Sequence, residues 1–251
     1  MFIPVFYTDT GNRDIRNNKP MNKVQPYFRK LRLISILMII VLVATTLVVI
    51  IMYPENTGRS GIISWIITII LLLLYLFFCY YLPFMGAKEP FAEAIRQGTS
   101  FGLIAGIIWI IHTTIEHFLR FSQTAGTIMT MISMILVLFV YGYSAYRFMM
   151  RRNHILASAL SSLWASMFSI LLLFVYSWII TFLFMPWIEK NLLTDPDYLI
   201  SGMINISDYT MHHNIESAGI HLLEAPVLAM IVGFLGIFFY RVRTKVIHHH
   251  P

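Results

Sequence analysis

Residues 62–82 read IISWIITIILLLLYLFFCYYL, with no charged side chain from Ile62 to Leu82. A helix of this length rises roughly 30 Å, about the depth of the hydrocarbon layer of a bilayer. It also closes its own backbone hydrogen bonds where no water is available to do so. The rest of the chain fits that reading. Apolar residues make up 58% of the 251 residues and charged residues 12%, against roughly 25% charged in soluble domains. A water-soluble domain of this size would not leave one uncharged run after another.

Reading outward from this stretch, with helix breakers as punctuation, gives six spans: residues 33–52, 62–82, 101–119, 127–146, 156–185 and 218–240. Pro83 and Pro186 are expected to end the second and fifth. The fifth, about 45 Å of helix, has to tilt or protrude. The expected architecture is an all-α integral membrane bundle. Residues 1–32 form a basic cytoplasmic segment, 33–240 the membrane domain, and 241–251 a basic cytoplasmic tail. The first apolar run does not resemble a cleavable signal, because a polar segment precedes it and Met52-Tyr53-Pro54-Glu55 follows it. Translation could begin at Met1 or at Met21.

Charge placement sets the orientation. Of the 18 Lys and Arg residues, all but Arg59, Arg120 and Lys190 fall on one side of the six-span scheme. The positive-inside rule makes that side cytoplasmic, so both ends are expected inside a cell membrane. The net charge of +6 is gathered in short patches beside apolar runs. The expected partner is therefore the lipid bilayer, with room for other membrane subunits, and not nucleic acid. The single cysteine, Cys79, lies within a span and can form neither an internal disulfide nor a cysteine metal cluster.

The last loop, residues 186–217, is longer than the others and extracytoplasmic in this scheme. Asp195-Pro196 reads as a helix start, and Ile200, Met203 and Ile204 recur at helical spacing. A short interfacial helix is expected there, with Asp208 placed to cap a helix that runs into the sixth span. Gly102, Ala105 and Gly106 in the third span, and Ser158, Ser161, Ser162 and Ser166 in the fifth, suit close packing in the bundle interior.

Ionisable groups inside spans are costly and call for a reason. The third span ends Trp109-Ile-Ile-His112-Thr-Thr-Ile-Glu116-His117, and the sixth is approached by His212-His213-Asn214-Ile-Glu216 and continues His221-Leu-Leu-Glu224-Ala-Pro226. One span runs outward and the other inward, so both clusters belong to the outer leaflet. Counted from the span ends, His112 and Glu224 lie roughly 10 Å deep and Glu116 and His221 roughly 5 Å. Depth matching therefore pairs His112 with Glu224 and Glu116 with His221, with His117, His213 and Glu216 in secondary positions. Arg120, four residues after Glu116, offers that carboxylate another partner.

Such a cluster can be interhelical glue, a proton or ion site, or a metal site. Two His and two Glu suit Zn, Fe or Mn, and His112 with His221 could be axial haem ligands. The leading expectation is a binding or transport-type membrane protein, or a membrane subunit of a larger complex. A membrane metalloenzyme or haem-bearing electron-transfer protein is the alternative. Pro226 is expected to release a backbone carbonyl beside the cluster. No phosphate-binding glycine loop, nucleophile elbow, His-Glu-x-x-His or Cys-x-x-Cys motif is present.

Overall fold

The computed structural model describes residues 24–53, 59–85, 89–119, 123–193 and 196–248. The two candidate start methionines, the basic positions up to Lys23, Arg120 and Asp195 all lie outside them. The described residues are helical throughout, with no strand: α1 (Val24–Met52), α2 (Arg59–Met85), α3 (Glu89–Phe118), α4 (Gln123–Arg152), α5 (Ile155–Leu192), α6 (Pro196–Ser201) and α7 (Ile206–His248). All except α6 are long and apolar enough to cross a membrane. The described residues thus form a bundle containing six helices that could span a membrane.

The helices outrun the apolar stretches because apolarity marks only the part matched to lipid, whereas helical hydrogen bonding continues into polar flanks. Helix α3 begins at Glu89-Pro90, an acidic residue beside the positive end of the helix dipole and a proline in the first turn, where its missing N–H costs nothing. Helix α4 ends on Arg151 and Arg152, which suit the opposite pole. Only Asn153 and His154 separate it from α5. Asn153 takes a positive φ of 48°, which asparagine tolerates better than most residues. His154 then caps α5, its Nδ1 accepting from the Ala157 N–H at 3.2 Å.

The two prolines do not end their helices. Helix α2 continues past Pro83 to Met85. Helix α5 continues past Pro186 to Leu192, but Phe184 leaves helical geometry (φ −123°, ψ 23°), so Pro186 marks a kink. The start of α7 also differs from expectation. Asn205 Oδ1 accepts from the Ser207 N–H at 2.9 Å, so Asn205 takes the capping position and Asp208 sits buried in the first turn.

Side-chain registers fix the directions. Gly98 and Gly102 of α3 face Ser161 and Ala165 of α5, so these helices are parallel. Thr68 and Tyr75 of α2 donate to the carbonyls of Ile215 and Leu222 of α7, at 3.2 and 2.9 Å, again in parallel. Ser162 of α5 donates to the Ala229 carbonyl of α7 at 2.8 Å while Ser177 meets Asn214, an antiparallel pairing. Helix α5 is the hub. It packs on α3, α7, α4 and α1, and its interface with α3 is the largest in the bundle. The small residues expected inside, Gly102, Ala105, Gly106, Ser158, Ser161, Ser162 and Ser166, are all buried.

The carbonyl that Pro226 was expected to release is that of Leu222, four residues earlier. It is the acceptor of the Tyr75 hydroxyl. Helix α7 continues through Pro226, and a neighbouring helix supplies the hydrogen bond that proline cannot.

Candidate functional site

Where α3 and α5 end, and α4 and α7 begin, the bundle opens into a cavity of about 650 Å³ walled by these four helices. Its level follows from residue position along each helix. Nearest the mouth are Glu116, His117, Asn191, Thr210 and His213; a middle belt carries His112, Thr113, Ser177, Thr181 and Asn214; Trp109, Ile170, Leu173, Phe174 and His221 lie deepest. From Glu116 to Trp109 the descent is roughly 10 Å along α3.

The belt is cross-linked by its own hydrogen bonds. Ser177 Oγ donates to Asn214 Oδ1 at 2.8 Å, and Asn214 Nδ2 donates to Thr181 Oγ1 at 2.5 Å. One amide on α7 thus bridges two hydroxyls one turn apart on α5. Nearer the mouth, His117 Nδ1 donates to the Thr113 carbonyl at 2.9 Å, and Asn191 Nδ2 donates to the His117 carbonyl at 3.0 Å, tying the end of α5 to that of α3. A pair of hydroxyls, Thr114 and Tyr176, adds a further tie between the same helices.

His112 is buried, at 5% exposure, and its Nε2 stands 3.6 Å from Glu116 Oε2 one turn away, while Glu116 itself is 61% exposed. That distance is longer than a hydrogen bond. His112 Nδ1 is buried with no hydrogen-bond partner. The Trp109 ring lies 5.7 Å from the ring of His112 and 5.6 Å from that of His221. An indole therefore lies between these two histidines, and Glu116 of α3 also acts electrostatically on His221 of α7.

Depth matching holds in part: Glu116 lies within electrostatic reach of His221, but among the described residues no contact joins His112 to Glu224. Among the described residues the histidine–carboxylate contacts are intrahelical, His112 with Glu116 and His212 with Glu216 at 3.7 Å. Helices α3 and α7 share no extensive interface, because α5 packs against both and the cavity lies between them. Depth sets level along a helix but not the direction a side chain faces. His112, Glu116, His117, His213 and His221 come together on the cavity wall. Glu224 is exposed and absent from that wall, as is Glu216, and His213 stacks on Tyr209.

Among the described residues, no three His, Cys, Asp or Glu side chains are grouped so as to hold a metal ion. Ser177, Thr181 and Asn191 were not singled out from the sequence. The signal for the first two was present, as hydroxyls at i and i+4 in the otherwise apolar run from Leu171 to Leu183. Comparisons with known protein families, with curated proteins and with solved structures find no match. What defines the protein is its own architecture, a bundle containing six helices that could span a membrane and holding a polar cavity at one end.

Proposed function

We propose that this chain is a binding or transport-type protein of the cell membrane, acting alone or as the membrane subunit of a larger complex. Both termini are cytoplasmic and the cavity opens to the outer face. The cavity itself carries the reading. Its volume of about 650 Å³ falls within the roughly 300–1,000 Å³ usual for ligand sites, and its lining of hydroxyl, amide, imidazole and carboxylate groups over an apolar floor offers more polar groups than such sites usually hold. A bundle serving only as scaffold gains nothing from holding Ser177, Thr181, Asn214 and His112 apart from lipid around such a space.

Charge supports the orientation. Arg96, Arg147, Arg151, Arg152, Arg241 and Arg243 lie at the helix ends remote from the cavity, whereas Lys190 lies at the cavity end. Leu199, Ile200 and Ile204, in and just after α6, are 70%, 82% and 88% exposed. Apolar side chains so placed suit a short helix resting on the outer surface of the bilayer.

Cysteines placed at Ser177 and Thr113, both part-exposed on the cavity wall, test the proposal in a Cys79→Ala background. Both should react with a membrane-impermeant thiol reagent added outside, while a cysteine at Ser162, buried in the packed interior, should not. No reaction at 177 and 113, or reaction only from the cytoplasmic side, overturns it.

A further inference from the structure

We infer that the ligand of this cavity is a small amphipathic amine, bound with its ammonium group at Glu116 and its apolar end directed toward Trp109 and Phe174. The inference rests on the reading of the cavity as an outward-facing binding site. Its ground is which polar groups of the lining are already committed. The Asn214 amide is engaged by Ser177 and Thr181 on both its oxygen and its nitrogen. His117 Nδ1 and the Asn191 amide nitrogen are each used by a backbone carbonyl. Glu116 differs. His112, His117 and His221 lie within its electrostatic reach, but among the described residues none of them gives its carboxylate a hydrogen bond, and most of its side chain is exposed to the cavity mouth.

Among the described residues, Glu116 is also the only carboxylate on the wall, which holds no Lys or Arg. An anion would meet this carboxylate with no Lys or Arg among the described lining residues to offset it, whereas an ammonium group supplies both the charge and the N–H donors that a carboxylate lacks. Below Glu116 the wall becomes more apolar over roughly 10 Å, ending at Trp109, Ile170, Leu173 and Phe174 with the His221 ring beside the indole. That depth suits a hydrocarbon or aromatic tail of about the length of a phenylethyl group. The same chemistry is offered by a dissolved amine and by a lipid with an ethanolamine head group.

Three near-isosteric probes separate charge from shape at pH 8: 2-phenylethylamine, 2-phenylethanol and 3-phenylpropionate. Each is tested for slowing the labelling of the Ser177→Cys protein from outside. The amine should give half-protection at a concentration at least roughly fivefold below the alcohol, as a charge pair in a partly screened site implies, and the carboxylate should protect least. Glu116→Gln should abolish the preference, and Glu224→Gln should keep it. Repeating the labelling in phosphatidylcholine vesicles with and without phosphatidylethanolamine identifies the source. Protection by that lipid, lost in Glu116→Gln, assigns the same amine chemistry to a head group.

Equal protection by alcohol and amine, better protection by the carboxylate, or a preference that survives Glu116→Gln overturns the inference while leaving the cavity reading intact. Failure of the Ser177→Cys protein to label from outside at all overturns the cavity reading instead.

Discussion

Helices α3 and α5 run side by side through two different environments. In their first halves they are nearly in backbone contact. A Cβ on Gly98 would lie 2.6 Å from the Ser161 carbonyl oxygen, and one on Gly102 would lie 2.6 Å from that of Ala165. In their second halves they touch through side chains, Thr114 with Tyr176 and Asn191 with the His117 carbonyl, and the cavity opens beside these ties, lined by Trp109, His112, Thr113 and Glu116 on one helix and Ser177 and Thr181 on the other. Side-chain size at every fourth position controls the change. Glycines at 98, 102 and 106 let the helices close, and larger side chains from Trp109 onward hold them open. Polar groups are tolerated where the helices separate because water or a ligand can reach them there. In the packed half, buried hydroxyls such as Ser144, Ser161 and Ser162 are bonded within the protein.

The sharpest way to break this contrast is to give the closed half a side chain. Gly102→Leu should cost about 3 kcal/mol or more, at or above the upper end for overpacking, because the first atom added already meets a backbone carbonyl that cannot yield. Loss of the monodisperse peak on size exclusion in detergent would register it. Gly126→Leu, where a Cβ meets nothing within 4 Å, is the matched control and should leave the peak unchanged.

A smaller effect is expected in the open half. Asn214→Ala removes two hydrogen bonds to α5, worth about 1 kcal/mol together at the usual strength of such bonds in membranes. Thermal unfolding in detergent should show a modest drop, with the protein still folded. A collapse like that of Gly102→Leu would mean that the belt, and not the glycine seam, holds α5 in place.

The smallest effect concerns the two halves of the original His/Glu cluster. His112 is buried on the cavity wall and Glu224 is exposed away from it. The losses from His112→Ala and Glu224→Gln should therefore add to within about 0.5 kcal/mol. A larger interaction energy would mean that the two side chains meet after all.

The number of crossings was legible because lipid imposes a composition that persists for a whole helix, as in Ile66 to Leu74. Even there the pattern hid an exception. Thr68 is buried and bonded to α7, while Ile66, Ile67 and Ile70 are exposed. The small-residue faces of α3 and α5 were legible for the same kind of reason, since only small side chains allow helices to close. Helix ends were less so, because Glu89 and Arg152 extend helices beyond the apolar run, and Pro186 bends α5 without ending it. The candidate cluster was half legible. Sequence placed His112, Glu116 and His221 at the right end of the bundle, but rotation about the helix axis depends on neighbours that spacing does not reveal, and that rotation turned Glu224 away. The uncharged half of the wall, Ser177, Thr181 and Asn191, drew no notice because hydroxyls and amides cost too little in a span to stand out.

The bond from Tyr75 to the Leu222 carbonyl bears on the order of assembly. A carbonyl without a donor costs several kcal/mol in hydrocarbon, and Pro226 leaves α7 with one that its own backbone cannot serve. This final helix is therefore incomplete as an isolated span and becomes self-consistent only beside α2. Helix α2 is already made when α7 emerges from synthesis, with the Thr68 hydroxyl and the Tyr75 phenol about two turns apart along the face that α7 must match. A gap in one helix is thereby turned into an address on another, and the bond that closes it sets the register at which the bundle finishes folding.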